Sequence, residues 1–438
     1  MSVFVLLIVF FALLLIGAPI AVALGGSVMV ASVFFSEVPL AILGQKIYAN
    51  LDSFTLMAIP FFFLAAGFME RGGIVKHLVG LANQIVGRMR GGLGMTTVLT
   101  CMFFATISGS SPATVAAVGG VMIPALVRHG YPKDYAVGAV STAGGLGILI
   151  PPSIPLILYG FITETSIPKL FIGGILPGIV YGLMLMVLAR VLARGFTPLQ
   201  TEASSRRERL HEVRMALPAL SLPLFLIVGI YGFPAFSFGS FQVKGGALFT
   251  PTEASIVCAL AAILIGAFVY RQLTWRGVLD TISDVMPRVG MIFWILTTAM
   301  IFGFYLAQEG VPAALAEWVV GVGMPAWGFL MMVNVILIVA GLFLEGIPMI
   351  LLFMPVLFPA AQALGIDPIQ FGIIVVVNIE LALLSPPVGL NLMVAGSIAN
   401  MTQGEVVRAA LPWIAVTVLH LLLVTYVPWI STFLPSLM

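Results

Sequence analysis

The chain has 438 residues, of which 61% are hydrophobic and only 8% charged, and its formal net charge is +2. Soluble domains carry about 25% charged residues, so a single soluble core is excluded, and a charge this near neutrality argues against nucleic acid as a partner. Backbone groups in lipid must bond to one another, which leaves helices or closed barrels. The apolar runs lack the alternation of barrel strands, so an all-α polytopic membrane protein embedded in the lipid bilayer is expected.

Taken in chain order, Met1 to Ser36 carries no charged residue, and Gly17-Ala18-Pro19 divides it. It reads as two passes, and it lacks the basic n-region and small-residue cleavage site of a signal peptide. Arg71, Lys76, Arg88 and Arg90 form a basic region, read as cytoplasmic, with Lys76–Arg90 suited to an interfacial amphipathic helix. The remaining charge-free stretches raise the expectation to about 11 to 14 spanning or half-spanning helices, at roughly 20 residues per span. The longest polar interruption holds Arg190, Arg194, Arg206, Arg207, Arg209 and Arg214. Segment 190–214 is therefore expected to be a basic cytoplasmic loop between halves at 1–189 and 215–438. No Lys or Arg precedes Lys46 or follows Arg408, so both termini are expected to face the periplasm.

The halves resemble one another. At an offset of 235 positions, Val121, Pro124, Ala125, Gly130, Val140, Leu146, Leu149, Pro151 and Pro152 meet identical residues. Internal repeats of this kind characterise transporter folds; the competing reading is coincidence in an apolar composition. In the first half, Ser108-Gly109-Ser110-Ser111-Pro112 interrupts an uncharged region. Gly, Ser and Pro break helices, and such backbone survives at membrane depth only inside protein or beside a cavity. A re-entrant hairpin near 95–127 is favoured over an external loop or a Gly/Ser packing face. Gly144-Gly145 and Pro151-Pro152-Ser153 then break a second helix, near 135–163, because proline lacks an amide donor and constrains its predecessor. A new helix is expected to start at Pro152. The second half repeats the arrangement, with a hairpin near 326–364 and a broken helix near 369–400 carrying Ser385-Pro386-Pro387 and Asn391.

Broken helices expose carbonyls suited to Na⁺ at one end and amides suited to anions at the other. Lys and Arg are absent from Gly91–Val127, Tyr135–Thr163 and Trp318–Val407. A carboxylate entering this core is therefore expected to meet helix N-termini, hydroxyls, Asn391 and bound cations rather than a paired arginine. Two carboxylates look deeply placed. Glu345 is equivalent to Ser110 under the offset and Glu380 to Gly145. Intramembrane carboxylates invite functional readings; for Glu345 function and structure weigh equally, and for Glu380 a structural role is favoured. Enzyme readings fare badly. His77, His129, His211 and His420 are scattered, Cys101 and Cys258 form no motif, and no zinc-protease, Walker or dinucleotide fingerprint occurs. A Ser108 nucleophile would lack a base in the adjoining apolar segments.

Ser108–Ala113, Gly147–Ser153, Tyr159-Gly160, Pro251–Ala254 and Ser385–Leu392, in this order, resemble the large membrane subunit of tripartite ATP-independent periplasmic (TRAP) transporters, within the ion-transporter superfamily. The likeness covers essentially the whole chain; Ala382 stands where glycine is usual and Ser385 where threonine is usual. The resemblance implies two inverted repeats arranged as a scaffold and an elevator-type transport domain. It implies import of a small organic acid across the bacterial inner membrane, driven by Na⁺. Partners would be a periplasmic substrate-binding protein and a small membrane subunit of about four helices. One sodium site would involve Ser108, Ser110, Gly145, Ile150 and Pro151, the other Gly341, Ala382 and Ser385. Substrate would meet Ser108, Gly109, Ser111, Pro152, Ser153, Pro387 and Asn391. A proton-coupled carrier using Glu345 and Glu380 is the rival within transport, and a structural subunit of a membrane enzyme complex the rival outside it.

Overall fold

A computed structural model describes residues 2–35, 39–195, 206–232, 236–238, 241–243 and 248–438. The molecule is helical almost throughout. The charge-free start forms α1 (Ser2–Leu15) and α2 (Ile20–Phe35), separated at Gly17 and Pro19. They are followed by α3 (Leu40–Leu51), α4 (Ala58–Arg71) and α5 (Ile74–Val86). In α5 the buried Ile74, Val75, Leu78, Leu81 and Ala82 share one face, the three- and four-residue spacing of an amphipathic helix.

A helical pair comes next, α6 (Gly92–Ser108) and α7 (Ser111–Arg128), joined at Gly109 and Ser110. Gly109 adopts φ +62, a left-handed conformation open to glycine. Then α8 (Lys133–Ala143), α9 (Leu146–Leu149) and α10 (Ile154–Ile162) form one interrupted rod, bent by 41°. The chain continues through α11 (Ile167–Leu192), α12 (Arg206–Tyr231) and a two-stranded ribbon, β1 (Phe236–Phe238) with β2 (Phe241–Val243). Beyond it lie α13 (Pro251–Leu264), the 34-residue α14 (Trp275–Gln308) and α15 (Val311–Gly321). The second half then repeats the succession of the first. The pair α16 (Ala326–Gly341) and α17 (Gly346–Ala363) precedes the interrupted α18 (Pro368–Leu383) and α19 (Leu390–Ala399). The chain ends in α20 (Gln403–Tyr426) and α21 (Trp429–Thr432).

Two expectations need correction. Among the described residues, eight helices are long and apolar enough to cross a membrane, nine with the bent rod, while eight more apolar helices have only 10–17 residues. Counting apolar residues does not separate a full span from an arm that turns back. Segment 190–214 is not simply a loop. Arg190 lies in the last turn of α11, which ends at Leu192, and α12 already begins at Arg206, with residues 196–205 outside the described ones. Interleaved Arg and Glu are good helix formers at i,i+4 spacing, so the charges that mark a polar segment also favour helix. Apart from this short two-stranded ribbon, the described residues are all-α, as expected. Phe236 pairs with Val243 and Phe238 with Phe241, following the alternation Phe-Ser-Phe and Phe-Gln-Val.

The halves interlock. The hairpin arm α7 packs on α19 of the second half, and its counterpart α17 packs on α10 of the first. Equivalent positions also meet. A Cβ added at Gly145 would lie 1.9 Å from the Cδ of Glu380, its partner under the 235-residue offset. Asn378 donates to Asn334 Oδ1 (2.8 Å) and Asn334 to Thr425 Oγ1 (3.0 Å), joining α18, α16 and α20 through buried polar groups. Against this block stand α4, which packs on α13 and α14, and α14, which also meets α2, α3 and α17.

Candidate functional site

Each break is built by short-range chemistry. The first rod is already interrupted at Gly144-Gly145, and after α9 Ile150 is extended, with φ −79 and ψ 126. The Pro151-Pro152 bond is cis, as is Pro386-Pro387. The new helix does not start at Pro152. Ser153 caps α10, accepting from Leu156 N (3.3 Å) and donating to the Ile148 carbonyl, and Pro155 occupies the first turn. A serine hydroxyl satisfies an orphan amide that proline cannot, so Pro152 is left in the turn ahead of the cap. In the second break Ser385 Oγ donates to Leu381 O (2.6 Å), and Gly389, with φ +43, opens α19.

At the first hairpin tip, Ser108 Oγ lies 2.8 Å from Thr114 Oγ1, which donates to Ser110 O at 2.9 Å. Ile154 N donates to Gly109 O at 3.4 Å, so the tip rests on the neighbouring break. These contacts bring Ser108, Gly109 and Ser110 to the Gly145–Ser153 region. Gly341 and Ala382 also meet, since a Cβ on Gly341 would fall 2.4 Å from that of Ala382. Ser385 follows at the end of α18, and Pro387 is exposed.

A buried polar centre ties the halves together. Ser111 Oγ donates to Glu380 Oε2 (3.1 Å), and Asn391 Nδ2 donates to Ser111 Oγ (2.7 Å), Ser141 O (3.2 Å) and Glu380 Oε1 (3.4 Å). Glu380 is 3% exposed, and Ser111 and Asn391 are fully buried. The Ser111 hydroxyl and the Asn391 amide nitrogen are therefore committed to one another and to Glu380. Among the described residues no three His, Cys, Asp or Glu side chains gather as a transition-metal site would require.

A cavity of about 590 Å³ opens beside this centre, lined by Gly109, Ser110, Ser111, Glu345, Gly346 and residues of the α4–α14 wall. Among the described residues, the N-terminal turns of four helices reach it: α7 (Ser111, Pro112, Ala113), α10 (Ile154, Pro155), α17 (Gly346, Ile347) and α19 (Leu390). Each presents the positive end of its dipole; at α10 the Ile154 and Leu156 amides are already bonded to Gly109 O and Ser153 Oγ, and Pro155 has none. Ser108, Pro152, Ser153, Pro387 and Asn391 do not line the cavity. Glu345 does, exposed at the second tip and making no capping bond.

Arginines, absent from the segments scanned in the sequence, do reach this cavity. Arg288 and Arg71 line the same cavity, with Glu70 and Asp284. They arrive from α4 and α14, outside the segments scanned for basic residues. The available signal was Asp280, Asp284 and Arg288 at four-residue spacing, running into the apolar stretch from Val289.

The family model described as "Tripartite ATP-independent periplasmic transporter, DctM component" matches residues 7–430. The chain is similar to the C4-dicarboxylate TRAP transporter large permease protein DctM of Pseudomonas aeruginosa, with 43% identity over 414 residues and 94% of each chain covered. It is 38% identical over 427 residues to the isethionate TRAP transporter permease protein DctMQ of Oleidesulfovibrio alaskensis, covering 97% of this chain and 65% of that one. In fold it is similar to the crystal structure of the Alcanivorax borkumensis YdaH transporter, with a TM-score of 0.64 at 16% identity, covering 90% and 88% of the two chains.

Proposed function

The chain belongs to the family of the DctM component of tripartite ATP-independent periplasmic transporters, and from that premise we propose that it imports a small organic acid anion, a C4-dicarboxylate foremost, at the expense of a sodium gradient. It is a transport subunit of the inner membrane, not an enzyme. The observation that carries the anion is the convergence of four helix N-termini on one cavity, among the described residues. Amides there recognise a carboxylate without a buried counter-charge. The C4-dicarboxylate assignment leans on the Pseudomonas aeruginosa relative; isethionate in another relative's name marks how the anion differs across the family.

Sodium is favoured over protons as the coupling ion. Among the described residues, Thr142 Oγ1 and Asn391 Oδ1 are buried oxygens without a hydrogen-bond partner, the kind of hard ligand an alkali cation takes. Ser108, Ser110, Gly145 and the Ile150-Pro151 carbonyls would form one sodium site, and Gly341, Ala382 and Ser385 the other. Proton coupling would rest on Glu345, because Glu380 is buried beneath Ser111 and Asn391. The interlocked hairpins and broken helices would move as one block past α4 and α14, as an elevator requires. A periplasmic binding protein would deliver the anion, and a small membrane subunit would brace the scaffold. Proteoliposomes holding the chain with both partners provide the test, with labelled succinate as the probe. Uptake should follow an inward sodium gradient and persist when the pH gradient is dissipated. Uptake that ignores sodium and collapses with the pH gradient would transfer the coupling to Glu345.

A further inference from the structure

The α14 wall of the cavity is built differently from the wall of helix tips. Thr281, Asp284, Val285, Arg288, Met291 and Ile292 line the cavity at three- and four-residue spacing, one face of a continuous helix. The charges on this wall are unequally engaged. Arg71 of α4 is bonded to Asp284 and lies 3.5 Å from Asp280. Arg288 makes no hydrogen bond, and no ion pair within 4.0 Å, among the described residues. Its carboxylate neighbour is Glu70, within electrostatic reach of both arginines. Across the cavity stands Glu345, at the second hairpin tip and without an ion pair among the described residues. A guanidinium is permanently charged, with five donors in a planar fork. Arg288 thus turns an uncommitted anion-binding group toward the helix tips. The side it serves follows from Arg71, Lys76, Arg88 and Arg90, whose basic segment marks the α4–α5 end as cytoplasmic.

We infer that Arg288 is the release-side contact of the transported anion: its guanidinium takes the carboxylate bidentately as the anion leaves the hairpin tips for the cytoplasm. Glu70 is the counter-charge Arg288 faces once the anion has gone. The site suits release rather than storage, because Arg288 is exposed and solvent-exposed ion pairs are weak. This rests on the reading that the substrate is an organic anion.

The test separates the two. Met291→Cys, on the same face of α14, reports on the cavity in the membrane complex, while Cys101 and Cys258 are buried. Its rates of modification by an anionic and a cationic methanethiosulfonate are compared. Adding Arg288→Gln should lower the anionic-to-cationic rate ratio by about tenfold, the low end of charge focusing in a cleft. Arg288→Lys should keep most of the ratio. Succinate, as the probe anion, should slow the anionic reagent with Arg288 present and not in Arg288→Gln. A ratio unchanged by Arg288→Gln overturns the inference, as does succinate protection that survives in that variant. If succinate protects in neither protein while the ratio still falls, the anion contact stands and the C4-dicarboxylate reading fails.

Discussion

At the scale of single residues the most constrained contact is that of Gly145 with Glu380. Any side chain at 145 would enter the space of the Glu380 carboxyl, which holds Ser111 and through it Asn391. Gly145→Ala should therefore destabilise the protein by about 1–3 kcal/mol, the usual range for an overfilled core. Glu380→Ala should cost a similar amount by stranding buried polar groups. Combined, they should cost clearly less than the sum, since the shorter side chain makes room for the methyl group. Thermal unfolding of the detergent-solubilised complex measures all three; strict additivity would mean that the two side chains do not meet. The pairing of 145 with 380 was legible as an offset in the sequence, but not that the partners touch. The same limit hid the commitments of Ser111 and Asn391. A hydroxyl or amide in an apolar segment advertises polarity without direction, and here the direction is inward.

At the scale of elements the breaks were legible because Gly, Ser and Pro act on the backbone wherever they occur. Ser108-Gly109-Ser110-Ser111-Pro112 and the paired prolines mark interruptions in any surroundings. What they did not reveal is how little chain each turn needs. The first tip is only Gly109 and Ser110 between two helices, and Ser153 rather than a proline opens α10. The charged stripe of α14 escaped because the apolar stretch marking that helix begins at Val289, so Arg288 reads as a flank. In the fold the helix begins at Trp275. Ser110 is half-buried at the tip, beside Gly147, and faces the cavity. Ser110→Leu should abolish uptake while the protein still inserts and purifies as a complex. Near-normal uptake by that variant would remove the first tip from the transport path.

At the scale of the whole molecule, two halves that read as a repeat fold into a single interlocked block. The first hairpin leans on the second broken helix and the second hairpin on the first. Helix tips from both halves then share one cavity, closed on its other side by α4 and α14. Class, approximate elements and break positions came from local chemistry, whereas the second wall is tertiary, assembled by packing between helices far apart in the chain. The central claim is that the anion binds among the N-termini of α7, α10, α17 and α19. Cryo-electron microscopy of the complete membrane complex, with sodium and the anion its binding protein selects, tests this most directly. The account predicts density for the anion against Ser110–Ala113 and Gly346, and a carboxylate density elsewhere, with this cavity filled only by water, would contradict it.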